Sequence, residues 1–179
     1  MSILNIEIKA RCDNPAGIKS KLESQNARFA GIDHQIDTYF KANEGRLKLR
    51  EGNIENTLIH YLRTDQAGPK QSLVELYHPE PNSTLKEVLT KAMGVLAIVD
   101  KHRAIYFVDN VKFHIDKVKG LGSFVEIEAI DTDGNIGEEK LLRQCNFYLE
   151  LFGIDDGDLI ERSYSDLILE NVLAGGGVS

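Results

Sequence analysis

Tryptophan is missing from this chain, cysteine occurs twice, and acidic residues outnumber basic ones. Cys12 and Cys145 lie far apart, without metal-ligand spacing, and are too few for a disulfide framework. They read as reduced thiols, one at a strand end and one on the apolar stripe of a helix. No window approaches the roughly 20 apolar residues that cross a bilayer, and the N-terminus lacks a signal peptide's basic-then-apolar layout. With 21 Lys and Arg against 28 Asp and Glu, the formal net charge of −7 has the wrong sign for a general binder of nucleic acid polymers or anionic membranes. The expectation is a soluble, cytoplasmic protein with neither a membrane nor a nucleic acid polymer as partner.

What remains suits one domain. The chain has 179 residues, 42% of them hydrophobic, with 7 Phe and 6 Tyr, enough for one ordinary core. A single domain over residues 1–172 is expected, followed by a disordered tail over 173–179 that contains the run Gly175-Gly176-Gly177.

The pattern is one of many strands and few helices. Alternating stretches rich in Ile, Val, Leu, Phe or Tyr run over Ile3–Cys12, Gln35–Lys41, Arg46–Glu51, Thr57–Arg63 and Ser72–His78. Others cover Ala97–Val108, Val111–Val118 and Ser123–Ile130. Turn residues separate most of them, and Asp109-Asn110 reads as a tight hairpin. Asn14-Pro15 caps a first helix carrying Ile18 and Leu22, and Ser83 or Thr84 caps a second that ends at Gly94. A third runs from about Gly137 to Phe152, closed by Gly153, and a short fourth holds Tyr164, Leu167 and Ile168.

Period-two alternation places every second side chain of a strand on one face. Asn5, Glu7 and Lys9 then share a face, as do Arg46, Lys48 and Arg50, Lys101 and Arg103, and Tyr61 and Arg63. His114 falls with Asp116, and Phe124 with Glu126 and Glu128. Helices over the aliphatic faces leave these charged faces to line either open solvent or the inside of a closed barrel. One such face gathers the cations Lys9, Arg46, Lys48, Arg50, Arg63, Lys101 and Arg103 with the carboxylates Glu7, Asp116, Glu126 and Glu128. The mixture suits a polyanion held with a divalent metal. Arg and Lys bind phosphate oxygens, while Mg²⁺ takes one or two carboxylates and completes its shell with phosphate and water.

These residues also carry a resemblance. Asn5-x-Glu7-x-Lys9, Asp37-Thr38-Tyr39-Phe40, Arg46-Leu47-Lys48-Leu49-Arg50 and Gly68-Pro69-Lys70-x-Ser72 follow one another along the chain. Lys101-x-Arg103 and Asp116-x-Val118-x-Gly120-Leu121-Gly122-x-Phe124-x-Glu126-x-Glu128 complete the series. In this order and spacing the chain resembles the CYTH superfamily, the triphosphate tunnel metalloenzymes, and within it class IV adenylate cyclase-like proteins.

The resemblance implies an α+β fold, an eight-stranded antiparallel β-barrel forming a tunnel with helices packed outside. It implies Mg²⁺ or Mn²⁺ on Glu7, Asp116, Glu126 and Glu128. It further implies triphosphate gripped by Lys9, Lys48, Arg50, Arg63, Lys101 and Arg103, with Lys70 reaching in from a loop, and catalysis centred on Glu7, Lys9 and Glu128. The cyclase branch adds a possible homodimer. The implied substrate is a small triphosphate such as ATP, converted to cyclic AMP and pyrophosphate. A triphosphatase acting on inorganic, thiamine or nucleoside triphosphate is the alternative. One departure keeps a third outcome open: the family opens Glu-x-Glu-x-Lys, and here Asn5 replaces the first Glu, as in a triphosphate or polyphosphate binder without turnover. Asn offers an oxygen but no charge.

Two further features read as structural. Asp155, Asp156 and Asp158 lack the glutamate spacing of a calcium loop and read as a polar turn. The histidines are scattered, and only His114 shares a face that would reach the tunnel.

Overall fold

In the computed structural model, residues 3–63 and 65–175 are described. Eight strands close a barrel in the order β1-β5-β4-β3-β2-β6-β7-β8, with every pair antiparallel. The strands are β1 (Ile3–Arg11), β2 (Arg28–Phe40), β3 (Arg46–Glu51), β4 (Asn56–Arg63), β5 (Lys70–Tyr77), β6 (Val95–Val108), β7 (Val111–Val118) and β8 (Gly122–Asp131). Closure removes free sheet edges.

The helices are α1 (Pro15–Ser24), α2 (Leu85–Met93), α3 (Glu138–Phe152) and α4 (Tyr164–Gly175). Asn14 caps α1 by accepting from Gly17 N at 3.0 Å. Gly153 ends α3 in the left-handed region, φ 67°, which costs glycine nothing. Asp131 starts α3 by accepting from the backbone N–H groups of Gly134, Asn135, Ile136 and Gly137. The aspartate-rich turn is a single 3₁₀ turn over Asp156–Asp158.

Two apolar clusters form on opposite sides of the barrel wall. Outside β1, β8 and β7, helices α1 and α3 cover Ile6, Ile8, Val111, Phe113, Val125 and Ile127 with Leu22, Leu141, Cys145 and Phe152. Inside one end of the barrel, Tyr164 of α4 packs on Tyr39, Ala97, Val99, Val118 and Phe124, with Leu167 and Ile168 behind it. The C-terminal segment is pinned there from several strands. Ile160 N donates to Lys9 O at 2.9 Å, and Lys70 Nζ donates to the carbonyls of Ile160 and Glu161 at 2.9 and 2.8 Å. Arg46 pairs with Asp166 at 2.9 Å. The barrel is therefore closed at this end and open at the other.

Besides shifts of one or two residues at several strand ends, three differences from the sequence reading stand out. β2 begins at Arg28 rather than Gln35, because it pairs with β6 along nearly its whole length through a bulge at Phe29/Gly31. Lys70 lies in a strand rather than a loop, since it pairs with Glu7 across β1 and β5. The fourth helix continues to Gly175, whereas Gly176, Gly177 and the rest of the expected tail to residue 179 lie outside the described residues.

Candidate active site

Alternation turns the polar parity of each strand into the barrel, where a cavity of about 510 Å³ opens. Glu7 and Lys9 of β1, Lys48 and Arg50 of β3, and Arg63 of β4 reach it. Lys101 and Arg103 of β6 join them, with Glu126 and Glu128 of β8. Asp116 faces inward behind Arg103, while Arg46 and Lys70 are spent at the closed end on α4 and the segment before it.

Several inward residues escape the motif-based reading. Asp37 is fully buried and accepts from Arg50 Nε and Nη2, both at 2.9 Å, and from Lys101 Nζ at 2.6 Å. Lys48 stands 3.3 Å away. Glu55, from the β3–β4 hairpin, pairs with Arg50 at 3.1 Å and with Lys112. Lys112 and His114 share the inward parity of Asp116, so alternation carried their signal; the hairpin residue Glu55 and the helical Tyr164 had none. The inward carboxylates thus include Asp33, Asp37 and Glu55 besides the expected set, and positive and negative side chains are close to balanced. The cation excess that the strand faces imply does not survive closure of the barrel.

The carboxylates are held in distinct ways. Asp116 accepts from Arg103 Nε and Nη2 at 2.7 and 2.5 Å and from Tyr164 Oη at 2.8 Å. Glu126 takes Arg103 at 3.0 Å, Lys9 at 3.3 Å and His114 Nδ1 at 2.9 Å. Glu7 pairs with Arg63. Glu128 accepts from Asn5 Nδ2 at 2.5 Å. Burial raises the Glu7, Asp37, Asp116 and Glu126 carboxyls, but neighbouring cations outweigh it and hold all of them below their usual range. Glu128 goes the other way: burial lifts it, Glu7 and Glu126 add to the rise, and Lys112 only partly offsets them. Burial and Arg103 push His114 down to about 4, leaving it neutral near pH 7.

Four buried polar atoms on this cavity lack a partner among the described residues: Asn5 Oδ1, His114 Nε2, and Nε and Nη2 of Arg63. Each orphaned polar group carries a desolvation cost of about 1–3 kcal/mol. Two unpartnered guanidinium donors on a residue that lines the cavity are of the kind that bind phosphate. Asn5 Oδ1 sits beside Glu128, which stands directly across from Glu7 in the β1–β8 register. Two carboxylates and an amide oxygen form a hard-donor set of the kind Mg²⁺ and Mn²⁺ prefer. By donor chemistry Glu7, Glu128 and Asn5 fit a divalent cation, although the described residues do not gather three His, Cys, Asp or Glu side chains at one point, and Glu126 is engaged through both oxygens by Lys9, Arg103 and His114. Asp116 fits poorly, because Arg103 and Tyr164 occupy both of its oxygens.

Comparison with known proteins agrees with this architecture. A protein of Methanocaldococcus jannaschii, provisionally named an adenylate cyclase, is 24% identical over 176 residues, covering 92% of this chain and 98% of the relative. A solved structure from Vibrio parahaemolyticus, with the same provisional name, shares the fold at TM-score 0.72 and 19% identity, covering 93% of this chain and 98% of that one. A Hippeastrum protein described as having a dominant triphosphatase activity matches at TM-score 0.56 and 15% identity, over 98% and 97% of the two chains. The model of the CYTH domain matches residues 4–164, and the chain belongs to the CYTH domain family.

Proposed function

We propose that this protein is a divalent-cation-dependent enzyme that cleaves a small triphosphate held in the barrel. One observation carries the reading: Arg63, with two unpartnered buried donors, lines the same cavity as Asn5, with its unpartnered oxygen, and the Glu7/Glu128 pair. A polyphosphate accepts from the first, and a cation takes the second. Binding is an exchange. Phosphate oxygens displace Glu7 from Arg63 and Glu55 from Arg50 and Lys112, and the carboxylate released from Arg63 becomes available to the cation. Triphosphate and metal therefore bind with positive coupling.

Phosphoryl transfer depends on positioning and charge stabilisation more than on covalent chemistry. Arg50 and Arg63 orient the chain of phosphates with Lys48 and Arg103 beside them, and Lys9 and Lys101 stand at the closed end, 3.9 and 5.9 Å from the Tyr164 ring centroid. A bound divalent cation supplies further neutralisation of the transferring group. Hydrolysis is the reaction this arrangement supports best, because among the described residues the tyrosine rings of the cavity already stand against lysines rather than open to a base. Lys48 lies 5.4 Å from the Tyr39 ring centroid and 5.6 Å from that of Tyr61, and Lys9 lies 3.9 Å from that of Tyr164. The second reading, cyclisation of ATP to cyclic AMP and pyrophosphate, is favoured by the name of the Methanocaldococcus relative.

The test is incubation with Mg²⁺ or Mn²⁺ and each of ATP, GTP, thiamine triphosphate and inorganic triphosphate, followed by product identification. Metal-dependent orthophosphate release supports hydrolysis, and cyclic nucleotide with pyrophosphate supports the second reading. Binding without turnover would sink both and leave a triphosphate binder.

A further inference from the structure

The open end of the cavity has a different chemistry from its interior. Ile3, Ile54, Ile59, Val74, Leu76 and Ile130 line it there, and none of them is buried; Ile54 and Leu76 remain 45% and 44% exposed. All but Ile54, which sits on the β3–β4 hairpin, are inward-facing strand residues beside the charged ladder. Ile130 pairs with Asn5, Val74 with Ile3, and Leu76 with Ile59. The barrel is closed at its other end by Tyr164. A triphosphate ester that sends its phosphates inward must leave its organic group against this aliphatic rim.

Two polar side chains of the rim, Asn56 and His78, are already engaged by the protein. Asn56 donates from Nδ2 to Gly52 O at 2.9 Å and accepts from Gly52 N at 3.3 Å. His78 Nδ1 lies 3.3 Å from Thr57 Oγ1. Deeper in, the ring of Tyr61 faces both Lys48 and Arg63, each 5.6 Å from its centroid. A nucleobase is recognised by stacking and by in-plane hydrogen bonds, and these side chains are engaged elsewhere. Apolar surface left wet beside an anion site is stabilised by apolar ligand surface.

We propose that the organic group of the substrate is aliphatic: the rim selects an alkyl or prenyl-type ester of a polyphosphate over a nucleotide. The proposal rests on the tunnel reading given above and specifies its substrate class.

The experiment is calorimetric titration, with Mn²⁺ present, of inorganic triphosphate, the methyl, butyl and hexyl triphosphates, and ATP. Full burial of a methylene is worth about 0.8 kcal/mol, or roughly fourfold in Kd. A partly open rim is expected to give about twofold or more per added methylene, with the hexyl ester binding more tightly than ATP. The double variant Ile59→Asn/Leu76→Asn flattens the alkyl series and leaves inorganic triphosphate within about twofold of the native affinity, since neither side chain carries charge. A flat alkyl series in the native protein, or ATP binding as tightly as the hexyl ester, overturns the aliphatic assignment alone. Failure of every polyphosphate to bind, the inorganic one included, overturns the tunnel reading and this assignment with it.

Discussion

Asn5 stands where a charged residue would crowd two carboxylates. Its amide donates to Glu128 and leaves an oxygen free toward the cavity, so the metal-free protein avoids a third negative charge beside Glu7 and Glu128. Replacing Asn5 with Glu should therefore lower the melting temperature without metal and enlarge the upward shift produced by Mg²⁺ or Mn²⁺. Equal metal-induced shifts in variant and native protein would remove Asn5 from the cation's surroundings. Arg103 is a different case, because it holds Asp116 and Glu126 together in the interior. Arg103→Ala leaves buried carboxylates uncompensated and should cost about 3–5 kcal/mol in urea unfolding. Arg103→Lys keeps the charge and is the better probe of turnover. His114 sets an acid limit. It faces Glu126 of β8, Arg103 of β6 and Lys112 of its own strand, and its pKa falls to about 4 from 6.5. Between those values the unfolded chain binds a proton that the folded chain does not. Stability therefore falls as pH drops from 6.5 toward 4, with a slope of up to about 1.4 kcal/mol per pH unit. In His114→Gln this part of the urea-midpoint profile should flatten; an unchanged profile would contradict the buried neutral state.

At the scale of the elements, alternation made most of the site legible. Parity alone puts Glu7, Lys9, Lys48, Arg50, Arg63, Arg103, Glu126 and Glu128 on inward faces, and closure brings them together. What escaped did so for physical reasons. The first half of β2 holds Gly31, a bulge and the inward polar residues Asp33 and Gln35, so its core-facing side lacks the apolar signal of a strand. Asp37 stands in the sequence only as part of a strand motif, and its ion pairs arise when β3 and β6 bring Arg50 and Lys101 against it. Glu55 and Tyr164 depend on where a hairpin and a distant helix dock, which local periodicity does not encode. Lys70, an expected triphosphate ligand, donates to two backbone carbonyls and so clamps the C-terminal segment. Lys70→Met should raise amide hydrogen exchange over residues 160–168 above that of the native protein. Unchanged protection there would argue that the clamp contributes little to seating α4.

The whole molecule separates its charges by location. The net charge of −7 has no counterpart inside the barrel, where opposite charges nearly balance, so the acidic excess lies on the outside. One polar interior and one helix-covered exterior share the same barrel wall, with the larger apolar cluster outside β1, β7 and β8. Under the proposed function an anionic ligand meets cations that carboxylates already engage, and exchange begins at the unpaired donors of Arg63. The most direct measurement is calorimetric titration of inorganic triphosphate with Mn²⁺ into the native protein and into Arg63→Gln. One triphosphate per chain is expected, with affinity reduced at least about tenfold in the variant, as loss of a charged hydrogen bond of about 1.5–3 kcal/mol requires. Equal affinity in the two proteins, or no binding to the native one, would contradict the account.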